Sequence, residues 1–486
     1  MAAAQRLAMP VVADGGFADL DLATIEAAAE ALLADVGIAC HLPPDAAARC
    51  TKAGLVVTAD RVRFPVPLVM ELMSNAPARF VHLASDEKRS IEVSAAMAVF
   101  GPAMAANHIW QGRTRRSLAA ADAALFTAIA DDAPGLGYGA SSLSLLASDG
   151  AAQLAAFTHG SNRPLIVPSH TPFHARDLIA AACDGAGSGD KSCRLLILAA
   201  VEGALTFDDA FVEALVETAA HAQGLIVTPT LLIGANAPAM VEGALVRFAA
   251  EAMAGVALSQ ALYPGQPVAV GATVADVSMR NGLPLVGTAN VLWLLGAAIA
   301  MARRWNLAFY ASGSATNAKG FDALGTAETG RWLTAAYCLG ANAVLGAIGA
   351  VDLDDGVSME KLIVDAEVAA ALGRPFARAS EDPSAELRAP GPGGIFLGTA
   401  AARELAHLQS PQRLADNSLF ESWVAAGSPA VDQAIAAIIA RATPGTSPAH
   451  SAQPTISLLN RRPTNLADLA SALYSRSIRD AFGFGG

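Results

Sequence analysis

The segment Leu225-Ile-Val-Thr-Pro-Thr-Leu231 and the residues after it decide the fold. It is a short apolar run rich in β-branched residues, which is typical of a buried strand. Residues 239–262 follow, in which apolar side chains such as Leu245 and Phe248 recur at helical spacing, and then comes a second apolar run, Pro267–Gly271. Two buried strands joined by a helix predict a parallel β-α-β unit.

The same alternation of strand and helix occurs eight times along the chain. The predicted strands are Met97–Gly101, Leu136–Ala140, Pro164–Pro168, Arg194–Ala200, Leu225–Leu231, Pro267–Gly271, Leu307–Ser312 and Ala343–Ile348. The predicted helices lie near residues 117–131, 148–161, 171–185, 207–222, 239–262, 288–304, 323–339 and 358–372. Eight such units predict an α/β fold closed into a (β/α)8 TIM barrel. An open doubly wound sheet is the alternative, but it usually has a glycine-rich phosphate loop after its first strand, and the sequence has none.

The barrel is predicted to span residues 96–375, between two extensions. Residues 1–95 are expected to form an N-terminal α/β extension, and residues 376–486 a C-terminal helical extension that packs on the barrel or on a partner subunit. The elements predicted in the extensions are a helix at Ile25–Val36, short strands around Val56 and Phe64, a glycine-rich turn at Gly391–Leu397, a linker at Thr443–Thr455 and a last helix at Leu466–Phe482.

The composition excludes several classes of protein. Hydrophobic residues make up 53% of the chain and charged residues 16%, which excludes a disordered chain. Three long stretches without charge, at residues 224–241, 281–302 and 332–351, are interrupted by proline, asparagine or glycine, so we expect no membrane span. No signal peptide is visible, and the expected location is the cytoplasm.

Charge and cysteine content narrow the possible partners. A net charge of −12 makes nucleic acid an improbable partner, and the basic group Arg113, Arg115 and Arg116 is too short to change that. We interpret this group as a solvated turn, with a contact to another subunit or protein as the alternative. The five cysteines are odd in number and contain no CxxC pair, so neither a disulfide framework nor a metal site is predicted.

Polar residues that follow the strands are the candidates for chemistry, because barrel enzymes place their active residues there. The densest run is Ala311-Ser-Gly-Ser-Ala-Thr-Asn-Ala-Lys319, after strand seven. The candidates in this run are Ser312, Ser314, Thr316, Asn317 and Lys319. Those after other strands are Ser141, Ser142, Ser169, His170, Glu202, Thr228, Thr230, Thr273, Asp276, Asp352, Asp354 and Asp355. An ordinary connection in which Thr316 or Asn317 caps a turn is the alternative interpretation.

Aromatic residues near the strand ends could contact a cationic ligand. Aromatic residues form only 6% of the chain, and Trp110, Phe309 and Tyr310 lie next to predicted strand ends. Their rings could provide faces for a methylated ammonium group. Packing in the core is the alternative for each of them.

Several motifs, at specific spacings, resemble those of one family. They are Gly234-Ala-Asn-Ala-Pro238 with Glu251, Gln260-Ala-Leu-Tyr-Pro-Gly-Gln-Pro267, Thr316-Asn-Ala-Lys-Gly-Phe-Asp322 with Glu328, Gly340-Ala-Asn342, and Ser358-Met-Glu-Lys-Leu-Ile-Val-Asp-Ala-Glu367. Through these motifs, most of residues 20–430 resembles the trimethylamine methyltransferase (MttB-like) family. The resemblance implies a (β/α)8 barrel that demethylates methylamines or quaternary amines and passes the methyl group to the cobalt of a separate corrinoid protein.

The resemblance is to the branch without pyrrolysine, since the sequence contains standard residues only. It implies a quaternary or tertiary amine such as glycine betaine as substrate, no tightly bound cofactor, a corrinoid protein as partner, and a homo-oligomer. The residues predicted to be catalytic are Asn317, Lys319 and Glu202. Those predicted to bind substrate are Ser312, Ser314, Thr316, Phe309, Tyr310, Trp110, Thr230, Asp352 and Asp354.

The sequence departs from the family pattern at three places. The family has an acidic residue where Ala289-Asn290 stands, an Asp where Asn317 stands, and a His-Thr pair where alanines stand at Ala400–Ala402. Two other functions therefore stay open. One is a demethylase that uses tetrahydrofolate as acceptor, and the other is an amine-binding protein without turnover.

Overall fold

The computed structural model describes residues 21–112, 114–146, 151–184, 191–313 and 315–372, and then 382, 384–388, 391–392, 403, 414, 420–427 and 431–443. The chain divides into two compact units, Met1–Ala369 and Ala370–Gly486. The domain limits expected from the sequence stay predictions. Helices described in the second unit are Ala385–Arg388, Phe420–Ala425 and Val431–Ala442. Apart from residues 391, 392 and 443, the predicted turn, linker and last helix lie outside the described residues.

The described N-terminal part of the first unit, residues 21–95, contains three helices and five short strands, more than the one helix and two strands predicted. Its elements are α1 (Leu22–Asp35), β1 (Ile38–Ala39), α2 (Pro44–Lys52), β2 (Val56–Val57), β3 (Arg61–Arg63), α3 (Leu68–Met73), β4 (Arg79–His82) and β5 (Ile91–Ser94). Asp21 caps α1, because its carboxylate accepts hydrogen bonds from the amides of Ala23 and Thr24, both at 3.1 Å. Strands β1, β3 and β2 form an antiparallel sheet.

Seven parallel strands form the central sheet, in the spatial order β6-β15-β14-β12-β11-β10-β9. They are β6 (Val99–Pro102), β9 (Leu165–Pro168), β10 (Leu195–Val201), β11 (Gly224–Ile233), β12 (Val268–Val277), β14 (Phe309–Ser312) and β15 (Ala343–Ile348). The five other strands described after β5 are β7 (His108–Gln111), β8 (Thr114–Ser117), the two-residue β13 (Pro284–Leu285), and the pair β16 (Ala350–Val351) and β17 (Gly356–Val357). Because the order follows the chain and returns to β6, the sheet is that of the predicted (β/α)8 barrel.

The second predicted strand, Leu136–Ala140, is the exception. It joins the sheet through a single parallel bridge between Phe100 and Leu136, where the Gly137 amide donates to the Phe100 carbonyl at 2.8 Å. Glycines at 135, 137 and 139 weaken a strand, since they carry no side chain to pack. The Arg163 guanidinium also donates to the Leu136 carbonyl. The predicted strand therefore forms only at its first residue.

Helices between the strands match the predicted positions within a few residues. They are α4 (Ala120–Asp132), α5 (Ala151–His159), α6 (Ala175–Ala182), α7 (Asp209–Ala220), α8 (Val241–Leu262), α9 (Ala289–Arg304), α10 (Ala323–Leu339) and α11 (Met359–Leu372). Gly340 ends α10 in the left-handed conformation, at φ 93°. Among the residues described, no helix combines the length and apolarity that crossing a membrane requires.

The barrel interior is a packed core closed at its N-terminal end. Side chains from the barrel strands meet in one buried cluster, against which Val99 of β6 packs, and the hydroxyls of Tyr138 and Tyr310 are 2.8 Å apart inside it. The hairpin β4–β5 covers the N-terminal end of this cluster and contributes Val93 and the fully buried His82. The opposite end, where the strands terminate, is the place where a ligand can reach the barrel axis.

Candidate active site

Three hydroxyl side chains lie next to one another at the C-terminal ends of neighbouring strands. Thr230 on β11 is in register with Thr273 on β12, and Thr273 is in register with Ser312 on β14. Alternation along the strands places them on the face that carries the interior residues Ile226 and Tyr310. The hydroxyls of Thr273 and Ser312 are 3.0 Å apart. We call Thr230, Thr273 and Ser312 the hydroxyl row.

Thr273 belongs to the row although it is not among the residues predicted to bind substrate. Strand six was predicted to end at Gly271, whereas β12 continues to Val277 because it pairs with β11 along most of its length. The signal was present in the sequence, since Thr273 continues the alternation set by the buried Ala269.

Glu202 lies beside this row, one residue after β10. The Thr230 hydroxyl donates to Glu202 Oε1 at 3.3 Å, and Glu202 is exposed at the mouth of the barrel. The amide of Asn236 holds the two residues together, since its nitrogen donates to the main-chain carbonyls of Glu202 and Thr230, each at 2.9 Å. A carboxylate and a row of hydroxyls thus face the same opening.

The strand-seven loop is held in place by hydrogen bonds that its own polar groups donate. Thr316 is fully buried, and its hydroxyl donates to Glu328 Oε2 at 2.5 Å. Asn317 donates from its side-chain nitrogen to the Pro284 carbonyl at 2.9 Å, while its main-chain amide donates to Glu328 at 3.0 Å. These bonds are those expected from the alternative interpretation, in which Thr316 or Asn317 caps an ordinary connection. A ligand contact by either residue stays a prediction. Ser314 lies outside the described residues.

The loop after strand eight pairs with the strand-seven loop. Lys319 forms an ion pair with Asp352, and the Asp352 amide donates to the Ala318 carbonyl at 2.8 Å. Asp352, Leu353 and Asp354 are all left-handed, with φ between 54° and 70°, a conformation that costs roughly 1 kcal/mol or more for each non-glycine residue. The ion pair and the amide contact hold this turn. Among the described residues, no hydrogen bond or ion pair joins Lys319 or Asp352 to the hydroxyl row.

The three candidate aromatic residues occupy different environments. Trp110, on β7, packs against Gly356, where an added Cβ would lie 2.7 Å from the indole, and it is half-buried near the strand-end loops. Tyr310 lies inside the barrel, bonded to Tyr138. Phe309 points toward the helices and packs on Phe248, with ring centroids 6.1 Å apart. Of the three, Trp110 is the one that lies beside the loops after strands seven and eight, and contact with a ligand stays a prediction for all of them.

A second polar group lies outside the barrel interior, after strand three. His170 Nε2 is 3.0 Å from Asp208, and His174 Nδ1 is 3.0 Å from Glu213. His170, His174 and Glu213 line an open concavity of about 480 Å³. The residues described contain no group of three or more His, Cys, Asp or Glu side chains arranged to hold a metal ion.

Two paired carboxylates of the first unit, Asp355 and Glu251, have shifted pKa values with clear causes. Burial raises the pKa of Asp355, but hydrogen bonds and charges from Asn107, His108 and Arg115 outweigh it and hold that pKa below its usual range. Burial also raises the pKa of Glu251 to about 7, against the opposing effect of Arg247. Glu251 lies nearly three turns into α8, the helix that follows the motif at Gly234–Pro238.

Comparison with known proteins identifies the family. A glycine betaine methyltransferase of Desulfitobacterium hafniense (strain Y51) is 26% identical over 410 residues, which cover 81% of this chain and 85% of that protein. Trimethylamine methyltransferase MttB of Methanosarcina barkeri is 32% identical over 201 residues, 40% of each chain.

Among solved structures, the Methanosarcina barkeri monomethylamine methyltransferase (MtmB) aligns over 73% of this chain and 74% of that chain, with 14% identity and a TM-score of 0.46. The family model for trimethylamine methyltransferase (MTTB) matches residues 16–443. The predicted methyltransferase class is confirmed, and the chain belongs to the trimethylamine methyltransferase family.

Proposed function

We propose that this chain transfers a methyl group from a small quaternary or tertiary amine, of the glycine betaine kind, to the cobalt of a corrinoid carried by a partner protein. The observation that carries the proposal is the pairing of Glu202 with Thr230 at the barrel mouth, beside the hydroxyls of Thr273 and Ser312. The name of the relative matched over 85% of its length supports a methylated amine as substrate.

A carboxylate at this position suits a cation that has no N–H group. A quaternary ammonium cannot donate a hydrogen bond, so Glu202 attracts it through charge alone, by up to about 4 kcal/mol at 4 Å in a partly solvated site. The indole of Trp110 offers an aromatic face at the same end of the barrel, and such faces attract quaternary ammonium groups. The hydroxyl row would receive the polar end of the substrate.

The chemistry needs positioning more than acid or base catalysis. When the carbon–nitrogen bond of a quaternary amine breaks, its electron pair stays on nitrogen and a neutral amine leaves, so no proton is required. A reduced cobalt on the partner protein would supply the nucleophile for the methyl carbon. The side chains at the mouth would align the carbon–nitrogen bond with the opening and exclude water. A corrinoid partner and a homo-oligomeric state stay predictions.

The experiment combines purified protein, glycine betaine or trimethylamine, and reduced cobalamin, with methylcobalt formation followed by absorbance. We expect methylcobalt to form with at least one of the amines, and no methylcobalt with any methylated amine would refute the proposal. Transfer to tetrahydrofolate instead would favour a folate-dependent demethylase. Thermal stabilisation by amines without transfer to either acceptor would indicate a binding protein.

A matched pair of variants tests the role of Glu202. Glu202→Gln keeps the size and the hydrogen bond from Thr230 but removes the charge, so we expect KM for the cationic amine to rise about tenfold, a loss of about 1.4 kcal/mol. Glu213→Gln removes a carboxylate that pairs with His174 outside the barrel, and KM should stay within twofold. Equal effects of the two substitutions would contradict a specific role for Glu202.

A further inference from the structure

A buried ion pair lies behind the candidate site on helix α8. Arg247 Nε donates to Glu251 Oε1 at 2.7 Å, and the two side chains are 5% and 0% exposed. Neither Arg247 Nη2 nor Glu251 Oε2 has a hydrogen-bond partner among the described residues. A buried pair with incomplete hydrogen bonding contributes little to stability, and apolar residues of similar size often replace such pairs at no cost.

Both members of the pair also bind the loops that carry the site. Arg247 Nη1 donates to the Asn236 carbonyl at 2.7 Å, and Glu251 Oε1 accepts the Leu205 amide at 2.8 Å. Asn236 in turn bonds the carbonyls of Glu202 and Thr230 and accepts the Leu232 amide at 2.8 Å. Asn236 is therefore the single residue that links Arg247 to the backbone of both Glu202 and Thr230.

The loop after β10 needs this support. Glu202 is exposed and follows the last residue of its strand, and Leu205 is held in the left-handed region at φ 50°. That conformation is strained for a leucine. Because the Glu251 carboxylate accepts the Leu205 amide, and Asn236 bonds the Glu202 carbonyl, the loop is fixed at both ends.

We propose that Arg247 and Glu251 form a positioning pair that sets the distance between Glu202 and Thr230 for a cationic substrate. This inference rests on the proposed function only for its kinetic consequence, because the effect on the loops is independent of the reaction. The pair touches no substrate and acts through Asn236 and Leu205.

The decisive variant is the double substitution Arg247→Met with Glu251→Leu. It replaces the ion pair with apolar side chains of similar length, so we expect Tm to change by no more than a few degrees. It also removes the bonds to Asn236 and Leu205, so KM for the methylated amine should rise five- to tenfold while kcat changes less than twofold. Should the double variant fold poorly, Asn236→Ala provides the second test, since it leaves the ion pair intact and removes the bonds to Glu202 and Thr230.

The control is Gln266→Met, at the other end of the barrel. Gln266 is fully buried and donates to Thr218 Oγ1 at 2.9 Å, just before β12 begins. This change should lower Tm without raising KM, which separates a loss of stability from a loss of positioning.

Hydrogen exchange provides the readout that does not depend on turnover. In the double variant, the amides of Leu205 and Leu232 should exchange at least tenfold faster than in the wild type. In the Gln266→Met variant, the same two amides should exchange at the wild-type rate. Unaltered exchange at both amides would overturn the inference, as would a wild-type KM in the double variant. Faster exchange in a protein whose wild type neither binds nor demethylates amines would support the positioning pair and refute the proposed function.

Discussion

The fully buried histidine at the closed end of the barrel makes stability sensitive to mild acid. His82 ends β4, its ring centroid lies 5.8 Å from that of Tyr138, and its Nε2 is 3.4 Å from the Arg194 carbonyl. Burial lowers the pKa of His82 from 6.5 to about 4, against smaller raising effects of main-chain hydrogen bonds. The ring is therefore neutral in the folded protein at pH 5, where it would be charged in the unfolded chain.

The direction and size of the effect follow from these two pKa values. Since the unfolded chain binds the proton more tightly, stability falls as the pH drops through 6.5 and levels off below about 4. Between pH 7 and pH 5 the loss is about 2 kcal/mol, and it approaches about 3 kcal/mol at the acidic end. This is a large part of the stability of an ordinary domain.

Chemical denaturation at pH 7 and pH 5 measures this loss in the wild type and in His82→Gln. Glutamine does not titrate, so the variant should lose about 2 kcal/mol less than the wild type between the two pH values. His41→Gln is the control, because His41 is exposed and its replacement should leave the pH dependence as it is. If His82→Gln loses as much stability as the wild type, the reasoning about His82 is refuted.

Two further predictions concern the interior of the first unit. Tyr310→Phe leaves the buried Tyr138 hydroxyl without its partner and should lower the free energy of unfolding by about 1–3 kcal/mol. The double variant with Tyr138→Phe should lose less than the sum of the two single variants. Additive losses in a double-mutant cycle measured by denaturation would contradict this. Gly349→Ala places a Cβ 2.7 Å from a ring carbon of Phe126, at φ 79°, and should lower the free energy of unfolding by about 2–4 kcal/mol. Gly265→Ala should lower it by about 1 kcal/mol, because no atom lies within 4 Å of the added Cβ. Equal effects of the two substitutions in thermal melts would show that the Phe126 ring moves aside freely.

The alternation of apolar runs was sufficient to predict the barrel, because the barrel strands are largely buried on both faces and several helices begin at a capping side chain. Helix α10 was predicted with its observed ends, since Asp322 caps its first turn and Gly340 stops it. The hairpins β4–β5 and β7–β8 were not predicted. Their pairing depends on the barrel surfaces they cover, which the local sequence does not contain.

The candidate site was harder to predict than the fold, because strand register decides which side chains face the opening. Glu202 and Thr230 were named from the sequence and lie together at the mouth. Phe309 and Tyr310 are adjacent in the chain, yet strand alternation places them on opposite faces of β14. The bonds of Asn317 reach back to the Pro284 carbonyl, a contact between distant segments that no local pattern reveals.

The motifs that carry the family resemblance support the barrel mouth more than they line it. Three carboxylates, on α8, α10 and α11, accept hydrogen bonds from main-chain amides near strand ends: Glu251 accepts from Leu205, Glu328 from Asn317, and Asp365 from Gly349. Residues with this task are fixed by the geometry of the fold, so they can stay the same whatever amine is bound. Substrate choice must then depend on side chains that these supports hold in place, which explains why the motifs identify the family without identifying the amine. Exchanges within the hydroxyl row, rather than at the three carboxylates, should therefore change substrate preference while the folded barrel is kept.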